Sequence, residues 1–512
     1  MKPASAVTRT VTLIFGLALL SACAVNPANY PRTPSTRMVA ADSCALARIL
    51  APPAGTAQAS SGFTLLADPQ PAFEARVALV TEAEQTLDLQ YYIWEPDTAG
   101  TLMAVKLAQA AKRGVRVRIL IDDFTTSGHD MNLAVLNSLS NVEVRLFNPY
   151  GSRGNRGLQM VGDFSRLNHR MHNKALIADG RAAIVGGRNI GDHYYGVAGD
   201  ANFRDMDVLA TGPVVADIAA SFDEFWNSEF AVPVEALGLA KPEKVTKRYE
   251  KAESKAPEWQ EKNSEAIKVL LPANHNLQDR LREWGAGMTW GAARVLVDDP
   301  SKASGSGEMI VAKELGERAA AIHQELLIES AYFIPGERTI AGFGQMVARG
   351  VKVRVLTNSL ASTDVSAVHA VYAPTRKPLL ATGVELHEFR IDSRGSALLG
   401  SSGASLHSKV VVFDRSSVFI GSFNLDGRSA IQNTELGILI DSPELAERTA
   451  AVIEKDLQPE TSWKVIVDAE GKKLRWLGRT NGEADERTHE PGASIWRRMS
   501  ASMLGWLPES QM

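Results

Sequence analysis

The sequence predicts an α/β protein in which one structural unit is used twice. Two stretches support this prediction, "HNKALIADGRAAIVGGRN" from His172 to Asn189 and "HSKVVVFDRSSVFIGSFN" from His407 to Asn424. Both follow the same spacing, namely His-x-Lys, four residues, Asp, six residues, and then Gly-x-x-Asn. Apolar strand-like runs and helical segments alternate in the same order around each stretch, which is typical of a sheet with helical crossovers.

The repeated unit extends upstream of each motif. "AAKRGVRVRILIDD" (Ala110–Asp123) matches "MVARGVKVRVLTNS" (Met346–Ser359), since each is a helical segment that ends near Arg-Gly and is followed by a strand. We therefore place a first domain at residues 61–238 and a second at residues 301–460. The intervening residues 239–300 are rich in charge and are predicted to form a linker or insertion.

The composition indicates a globular protein with no overall attraction to nucleic acid, although it leaves room for a local basic groove. At 512 residues the chain has room for about two to four domains. It is 45% hydrophobic and 22% charged, which is in the globular range. The formal net charge of -4 provides no overall attraction to a polyanion.

The N-terminus is predicted to carry a processing signal. Lys2 and Arg9 precede the apolar run Val11–Leu20, which is too short to span a bilayer but suits a signal peptide. The following "LSAC" resembles a bacterial lipobox, in which Cys23 is lipidated and becomes the first residue of the mature protein; an ordinary secretory signal is the alternative. We expect a signal peptide at residues 1–23 and a lipoprotein anchored to a membrane and facing the periplasm, with the choice of inner or outer membrane left open. Residues 24–60 are predicted to be a tether.

Residues 461–512 are predicted to form a C-terminal extension with an amphipathic helix near its end. Near its end, Trp496, Met499, Met503 and Leu507 fall near one face of a helix, with arginines beside them. Such a stripe is typical either of a helix that lies on a membrane surface or of a terminal helix packed on the core.

The paired motifs suit the chemistry of a phosphodiester. In a strand, residues two apart point to the same side, so His172 and Lys174 share a face, as do His407 and Lys409. One neutral imidazole can attack phosphorus, and the other, when protonated, can donate to the leaving alkoxide. The lysines, with Asn189 and Asn424, would hold the non-bridging oxygens. We expect neither a metal nor another cofactor, since the cationic side chains supply the positive charge.

Carboxylates are needed to orient the two imidazoles. Asp205 in "NFRDMDV" and Glu435 in "NTELGIL" follow the two motifs at comparable intervals and are the candidates; the alternative is an ordinary ion pair or helix cap. Asp179 and Asp414 complete the motifs and belong to the candidate catalytic set. Their position five residues beyond the lysine nevertheless favours a structural role at the end of the strand.

These two stretches resemble the HKD motifs of the phospholipase D superfamily and match that pattern in full. Further stretches, including "DLQYYIW", "DFSRLNHRMHNK", "VGGRNIGDHYY" and "IGSFNLDGRSAIQNTELG", resemble the bacterial cardiolipin synthases of the C type over about residues 60–510. The resemblance implies two similar phospholipase D-like α/β domains, each a mixed sheet with flanking helices, that share one central active site. It also implies membrane phospholipids as partners and a covalent phosphohistidine intermediate. The phosphatidyl group would pass from phosphatidylethanolamine or phosphatidylglycerol to phosphatidylglycerol.

The same resemblance suggests roles within the site. It favours His172 as the nucleophile and His407 as the acid and later the base. Ser422 is a candidate phosphate-binding residue without a symmetric partner, because Gly187 stands at the equivalent position. Two alternative functions share the motifs: a hydrolytic phospholipase D, in which water replaces the acceptor lipid, and, less favoured, a phosphodiesterase acting on nucleic acid. No oligomer is required, since one chain carries both motifs.

Overall fold

The structure is a computed structural model that describes residues 27–151, 153–154, 156–199, 201–391, 403–494 and 496–499. Cys23, the predicted lipidation site, lies outside these residues. Among the described helices, none combines the length and the apolar character needed to cross a membrane.

The first half of the chain contains a mixed sheet. Its strands, with the short β7 that stands apart from the sheet, are β1 (Ser61–Leu66), β2 (Thr86–Tyr91), β3 (Arg116–Asp122), β4 (Val142–Phe147), β5 (Ala175–Ala178), β6 (Ala182–Gly186), β7 (Ala201–Arg204), β8 (Asp207–Thr211) and β9 (Ala231–Pro233). The sheet order is β9-β4-β3-β2-β5-β6-β8-β1, in which β2, β3 and β4 are parallel and the other neighbours antiparallel.

The second half repeats this sheet and extends it. Its strands are β10 (Thr289–Val297), β11 (Glu325–Ser330), β12 (Lys352–Asn358), β13 (Glu385–Phe389), β14 (Gly403–Leu406), β15 (Lys409–Phe413), β16 (Ser417–Gly421), β17 (Leu436–Asp441), β18 (Ser462–Val467), β19 (Leu474–Thr480) and β20 (Glu483–Arg487). The order is β20-β19-β18-β13-β12-β11-β15-β16-β17-β10, with β11, β12 and β13 parallel. The predicted α/β fold with a duplicated mixed sheet is confirmed.

Helices cover the sheets, as expected when parallel strands are joined by crossovers. In the first half they are Ala45–Ile49, Pro69–Glu82, Thr98–Lys112, Asp130–Asn137, Arg156–Gly162, Phe164–Leu167 and Val214–Asn227. Between the halves lie Pro242–Lys262, Ser264–Leu270 and Leu277–Ala286. The second half contains Ile310–Ala320, Glu337–Ala348, Ser366–Tyr372, Arg376–Ala381, Gly427–Ile431 and Pro443–Asp456.

The two halves are joined by strand pairing and by a shared core. Strands β1 and β10 pair antiparallel, so the two sheets form one continuous structure. A buried hydrophobic cluster takes members from both halves, among them Val185, Met206, Leu406 and Ile420. Because burial of apolar surface is the main driving force for association, this cluster fixes the halves against each other.

Two segments differ from the predicted boundaries. The second sheet begins with β10, inside the predicted linker 239–300, because β10 pairs with β17 and β1, and such long-range partners leave no local pattern. Parts of the predicted tether 24–60 pack against the first domain, whereas residues 51–60 are mostly exposed. Arg118 donates to the carbonyl of Ser35 at 2.9 Å, and the helix Ala45–Ile49 buries Leu46. Buried guanidinium groups need acceptors, and the N-terminal backbone supplies them.

The C-terminal extension also begins as part of the sheet. Strand β18 pairs with β13, and β19 and β20 continue that edge. Beyond them, Trp496 is 79% exposed and Met499 is 52% exposed. These two side chains therefore do not form the packed face that one of the two interpretations required; Met503 and Leu507 lie outside the described residues.

Candidate active site

Strand register brings each histidine beside a carboxylate of the other half. Strands β14 and β7 run parallel with Leu406 opposite Arg204, so the next residues, His407 and Asp205, are neighbours. A parallel bridge joins Met171 to Thr434, and His172 and Glu435 follow directly. The same construction therefore occurs twice, and each time it crosses between the halves.

The side chains confirm this exchange of carboxylates. Nδ1 of His172 lies 2.9 Å from Oε2 and 3.1 Å from Oε1 of Glu435. Nδ1 of His407 lies 2.6 Å from Oδ2 of Asp205. A carboxylate on Nδ1 leaves Nε2 as the nitrogen that can react. The sequence identified all four residues, but each candidate carboxylate follows the motif of its own half, so the crossed pairing could not be read from it.

The two carboxylates are held differently. Oε2 of Glu435 accepts a hydrogen bond from the Ser422 hydroxyl at 2.5 Å, and that hydroxyl also accepts from the backbone N–H of Leu436 at 2.9 Å. The single O–H of Ser422 is donated to Glu435 and is therefore not free to bind a phosphate oxygen, so the structure corrects the predicted contact with phosphate: Ser422 positions Glu435. At the equivalent place a Cβ on Gly187 would overlap Oδ1 of Asp205. A glycine is therefore required there.

The environment gives the two imidazoles different proton affinities. Burial, followed by the charges of Lys174 and Lys409, holds the pKa of His172 well below its usual value. Burial and Lys409 also lower the pKa of His407, but Asp205 acts against them. His172 is therefore kept neutral, whereas His407 has a favourable partner for its protonated form.

The two carboxylates that contact these imidazoles also differ in their proton affinities. Burial raises the pKa of Glu435 to about 7, although Lys174 opposes it. For Asp205, burial is outweighed by His407, Lys409 and Arg188, and its pKa lies below the usual value. Asp205 is thus the more firmly ionised of the two.

Both motif lysines are buried in the site. Nζ of Lys174 donates to the carbonyl of His172 at 2.5 Å, and Nζ of Lys409 lies 3.1 Å from Nδ1 of His407. Burial lowers the pKa of Lys174 to about 7 and also lowers that of Lys409. A bound phosphodiester would supply the missing counter-charge and favour both ammonium forms.

The asparagines and aspartates of the motifs support the backbone. Oδ1 of Asn189 accepts from the backbone N–H of Ile93 at 3.1 Å, and its amide donates to the Tyr194 hydroxyl at 2.8 Å. Oδ1 of Asn424 accepts from the N–H of Tyr332 at 3.4 Å. The structure thus places both asparagines as braces for the chain that follows β2 and β11, although they had been expected to bind phosphate.

The grouping of Asp179 and Asp414 with the catalytic residues is corrected. The carboxylate of Asp179 accepts backbone N–H groups of residues 84, 85 and 86 at 2.8–2.9 Å. Asp414 accepts those of residues 323, 324 and 325 at 2.7–2.9 Å. Both adopt positive φ, at 55° and 49°, in the turn after the motif strand. They fix that turn to the start of β2 or β11, at the strand end remote from the lysine.

Aromatic rings surround the imidazoles. Tyr92 packs edge-on against His172 with ring centroids 5.1 Å apart, and Tyr194 packs in the same way against His407 at 5.1 Å. Phe203 also contacts His407, at 5.2 Å. The contact of Tyr194 with His407 places this tyrosine at the site. Tyr92, which directly follows β2, was not anticipated from the sequence.

One group of possible metal ligands occurs among the described residues, away from the motifs. His369, Glu388 and Glu490 have ligand atoms within 4.8 Å of one another. The Arg376 guanidinium donates to Glu388 at 3.0 Å and to Glu490 at 2.7 Å, so these two carboxylates already share one cationic partner. This cluster is better described as an ion-pair network.

Comparison with known proteins agrees with the site. Residues 77–226 and 317–457 match the family described as "Cardiolipin synthase, PLD-like domain". The chain is 40% identical over 449 residues to cardiolipin synthase C of Escherichia coli (strain K12), covering 85% of this chain and 93% of that protein. It is 32% identical to an uncharacterized protein of Helicobacter pylori (strain ATCC 700392 / 26695), covering 88% of this chain and 89% of that one.

A solved structure shares the fold. The crystal structure of phosphatidylserine synthase from Haemophilus influenzae Rd KW20 aligns with a TM-score of 0.51 at 12% identity, over 86% of this chain and 91% of that one. Together, the family match, the relatives and the two interlocked HKD motifs establish the family. The chain belongs to the cardiolipin synthase family of proteins with a phospholipase D-like domain.

Proposed function

We propose that the protein transfers a phosphatidyl group from phosphatidylethanolamine or phosphatidylglycerol to phosphatidylglycerol, which yields cardiolipin. The observation that carries the proposal is the crossed pairing of His172 with Glu435 and of His407 with Asp205 in one buried, cationic site. Cleavage of a phosphodiester by this route needs a neutral nucleophile and a protonated acid close together, and the site contains one imidazole suited to each role.

In the first half-reaction, Nε2 of His172 attacks phosphorus and the bond from phosphorus to the head-group oxygen breaks. His407 gives its proton to the departing alkoxide. Glu435 accepts the Nδ1–H of His172 and stabilises the positive charge that develops on that ring. Lys174 and Lys409 stabilise the non-bridging oxygens, where negative charge accumulates. The product is a phosphatidyl group bound to His172.

In the second half-reaction, His407 removes the proton of an acceptor hydroxyl, and that oxygen attacks phosphorus. The bond between phosphorus and Nε2 of His172 breaks, which restores the neutral imidazole. A lipid hydroxyl gives cardiolipin, whereas water gives phosphatidic acid. The hydrolytic phospholipase D is therefore the same mechanism with a different acceptor.

Lipid analysis tests the proposal. A bacterial strain that lacks other sources of cardiolipin would express the full chain or His172→Ala or His407→Ala. The matched control is His323→Ala, because that side chain is exposed and lies outside the site. Cardiolipin should appear with the wild type and the control, and disappear with both site variants. Purified wild-type protein that makes phosphatidic acid but no cardiolipin from mixed phospholipids would show a hydrolase instead.

We also infer that Cys23 carries a lipid that holds the protein on the periplasmic side of a membrane. The basic residues, the short apolar run and "LSAC" support this inference. Labelling cells with a radioactive fatty acid should mark the wild-type protein and leave Cys23→Ser unlabelled. Label retained in Cys23→Ser would contradict it.

A further inference from the structure

We propose that Asp364 binds hydroxyl groups of the acceptor alcohol and thereby sets the ratio of phosphatidyl transfer to hydrolysis. The inference rests on the proposed function and adds to it the residue that favours a polyol head group over water. It concerns a binding contact, and it does not alter the roles of the two histidines.

The Asp364 carboxylate is exposed and held in a defined orientation. The Tyr332 hydroxyl lies 3.0 Å from Oδ1 and 2.9 Å from Oδ2 of Asp364. The backbone N–H of Tyr332 in turn donates to Asn424 of the second motif. An exposed carboxylate has about four lone-pair positions, so one hydroxyl donor leaves others open to a ligand.

The loop that carries Asp364 is bonded to the residue next to His407. The side-chain amide of Asn358, at the start of this loop, donates to the carbonyl of Leu406 at 2.7 Å, and its Oδ1 accepts the N–H of Leu406 at 2.9 Å. The Ser362 hydroxyl also donates to Oδ1 of Asn358, at 2.9 Å. Asp364 is accordingly among the charges that favour the protonated form of His407, after Asp205.

The first half of the chain has no acidic counterpart at this position. The equivalence of β3 and β12 places Gly128 where the second half has Asp364. The hydroxyl donor is also missing in the first half. Asn189 accepts the N–H of Ile93, just as Asn424 accepts the N–H of Tyr332. Ile93 is thus the counterpart of Tyr332, and its side chain has no hydroxyl. The extra carboxylate therefore belongs to the His407 side alone.

That side is where the alcohol reacts. In the transfer step the acceptor oxygen forms a bond to phosphorus, the bond from phosphorus to Nε2 of His172 breaks, and the hydroxyl proton passes to His407. A glycerol head group has a second hydroxyl that can donate to Asp364 while the first faces His407. Water has no second hydroxyl, so only the polyol gains from this contact.

The test measures product partition with the purified full-length protein on vesicles that contain phosphatidylglycerol and phosphatidylethanolamine. The ratio of cardiolipin to phosphatidic acid should fall about tenfold or more in Asp364→Ala, as expected for loss of hydrogen bonds to a charged group. Tyr332→Phe should shift the ratio in the same direction by a smaller factor, because the carboxylate loses its orientation. Asp217→Ala, the same substitution at an exposed aspartate on the helix Val214–Asn227, is the matched control and should leave the ratio unchanged.

Different outcomes separate this inference from the proposed function. If the wild type makes cardiolipin and Asp364→Ala keeps the wild-type ratio, the role of Asp364 is refuted and the transferase stands. A defect confined to phosphatidylethanolamine as donor, with the ratio unchanged, would also refute it, because Asp364 would then bind an ammonium group. If Asp364→Ala loses all turnover, an unchanged ratio in Tyr332→Phe would overturn the inference. Wild-type protein that forms no cardiolipin refutes the proposed function itself.

Discussion

Replacing Glu329 by glutamine should stabilise the protein in a way that depends on pH. Glu329 lies on β11 opposite Val410 and is fully buried. Neither of its carboxylate oxygens forms a hydrogen bond of ordinary geometry with the described residues. At the equivalent position on β2, opposite Ala175, the first half has Gln90. Glutamine therefore already occupies this environment in the other half of the fold.

The magnitude follows from the shifted pKa. Burial, and then the nearby carboxylate of Asp456, raise the pKa of Glu329 from 4.5 to about 8. Between these values the unfolded chain releases a proton that the folded protein retains, so the free energy of unfolding falls as pH rises. One pKa unit corresponds to about 1.36 kcal/mol, which gives a cost on the order of 3 kcal/mol at pH 7. Above about pH 8 the cost becomes constant.

Urea unfolding of the wild type and Glu329→Gln between about pH 5 and pH 8 measures this effect. The variant should be the more stable protein at pH 7, and its advantage should increase steadily with pH up to about 8. The reverse change, Gln90→Glu, should produce a loss of stability that likewise grows with pH, but to a smaller extent, because Asn227 stands where the second half has Asp456. An advantage that does not vary with pH, or a less stable variant at pH 8, would refute the buried, protonated state of Glu329.

The remaining predictions concern the site and its turns. Glu435 must be ionised to accept the Nδ1–H of His172, so activity should rise with pH through about 7. Glu435→Gln should abolish this rising limb of the pH–rate profile and lower kcat by about 10²–10⁴. Ser422→Ala should reduce kcat about tenfold and the free energy of unfolding by about 1–3 kcal/mol, and unchanged kinetics would contradict its positioning role. Gly187→Ser should displace Asp205 and slow transfer of the phosphatidyl group to the acceptor, so that the labelled phosphatidyl-enzyme accumulates. If this intermediate decays as fast as in the wild type, the serine does not displace Asp205. Asp179→Ala should cost roughly 2 kcal/mol of stability, and a much larger fall in kcat than in the folded fraction would restore it to the catalytic set.

Local sequence was sufficient for the chemistry and the repeat. The spacing of His172 and Lys174 in a strand places both side chains on one face, and that inference needs only the period of two. The alternation of strands and helices is also a local pattern, and it predicted the two sheets. What the sequence could not supply was the partner of each residue across the fold. Glu435 is 263 residues from His172, and only the parallel bridge between Met171 and Thr434 makes them neighbours.

The same limit explains the corrected residues. Ser422 follows a motif glycine and was taken for a phosphate ligand, but its hydroxyl is fully engaged by Glu435 and Leu436. Its orientation depends on β16 pairing with β17, which is a property of the sheet. The packing of Ser35 against Arg118 likewise depends on a buried charge 83 residues away. Composition alone cannot distinguish such a segment from a tether.

The fused duplication explains how two identical motifs can perform different tasks. Two copies of one unit related by exact symmetry would give both imidazoles the same surroundings and the same proton affinity. Here the positions around the site have diverged: Asp205 corresponds to Glu435, and Gly187 to Ser422. The shorter carboxylate is more firmly ionised and contacts His407, whereas the more buried one, held by a serine, contacts His172. Each carboxylate contacts the histidine of the other half, so a change in one half alters the proton affinity of the imidazole in the opposite half. Burial lowers the pKa of both imidazoles, but at His407 the firmly ionised Asp205 acts against this shift, so a single chain can favour the neutral form of His172 for attack and support the protonated form of His407 for proton donation.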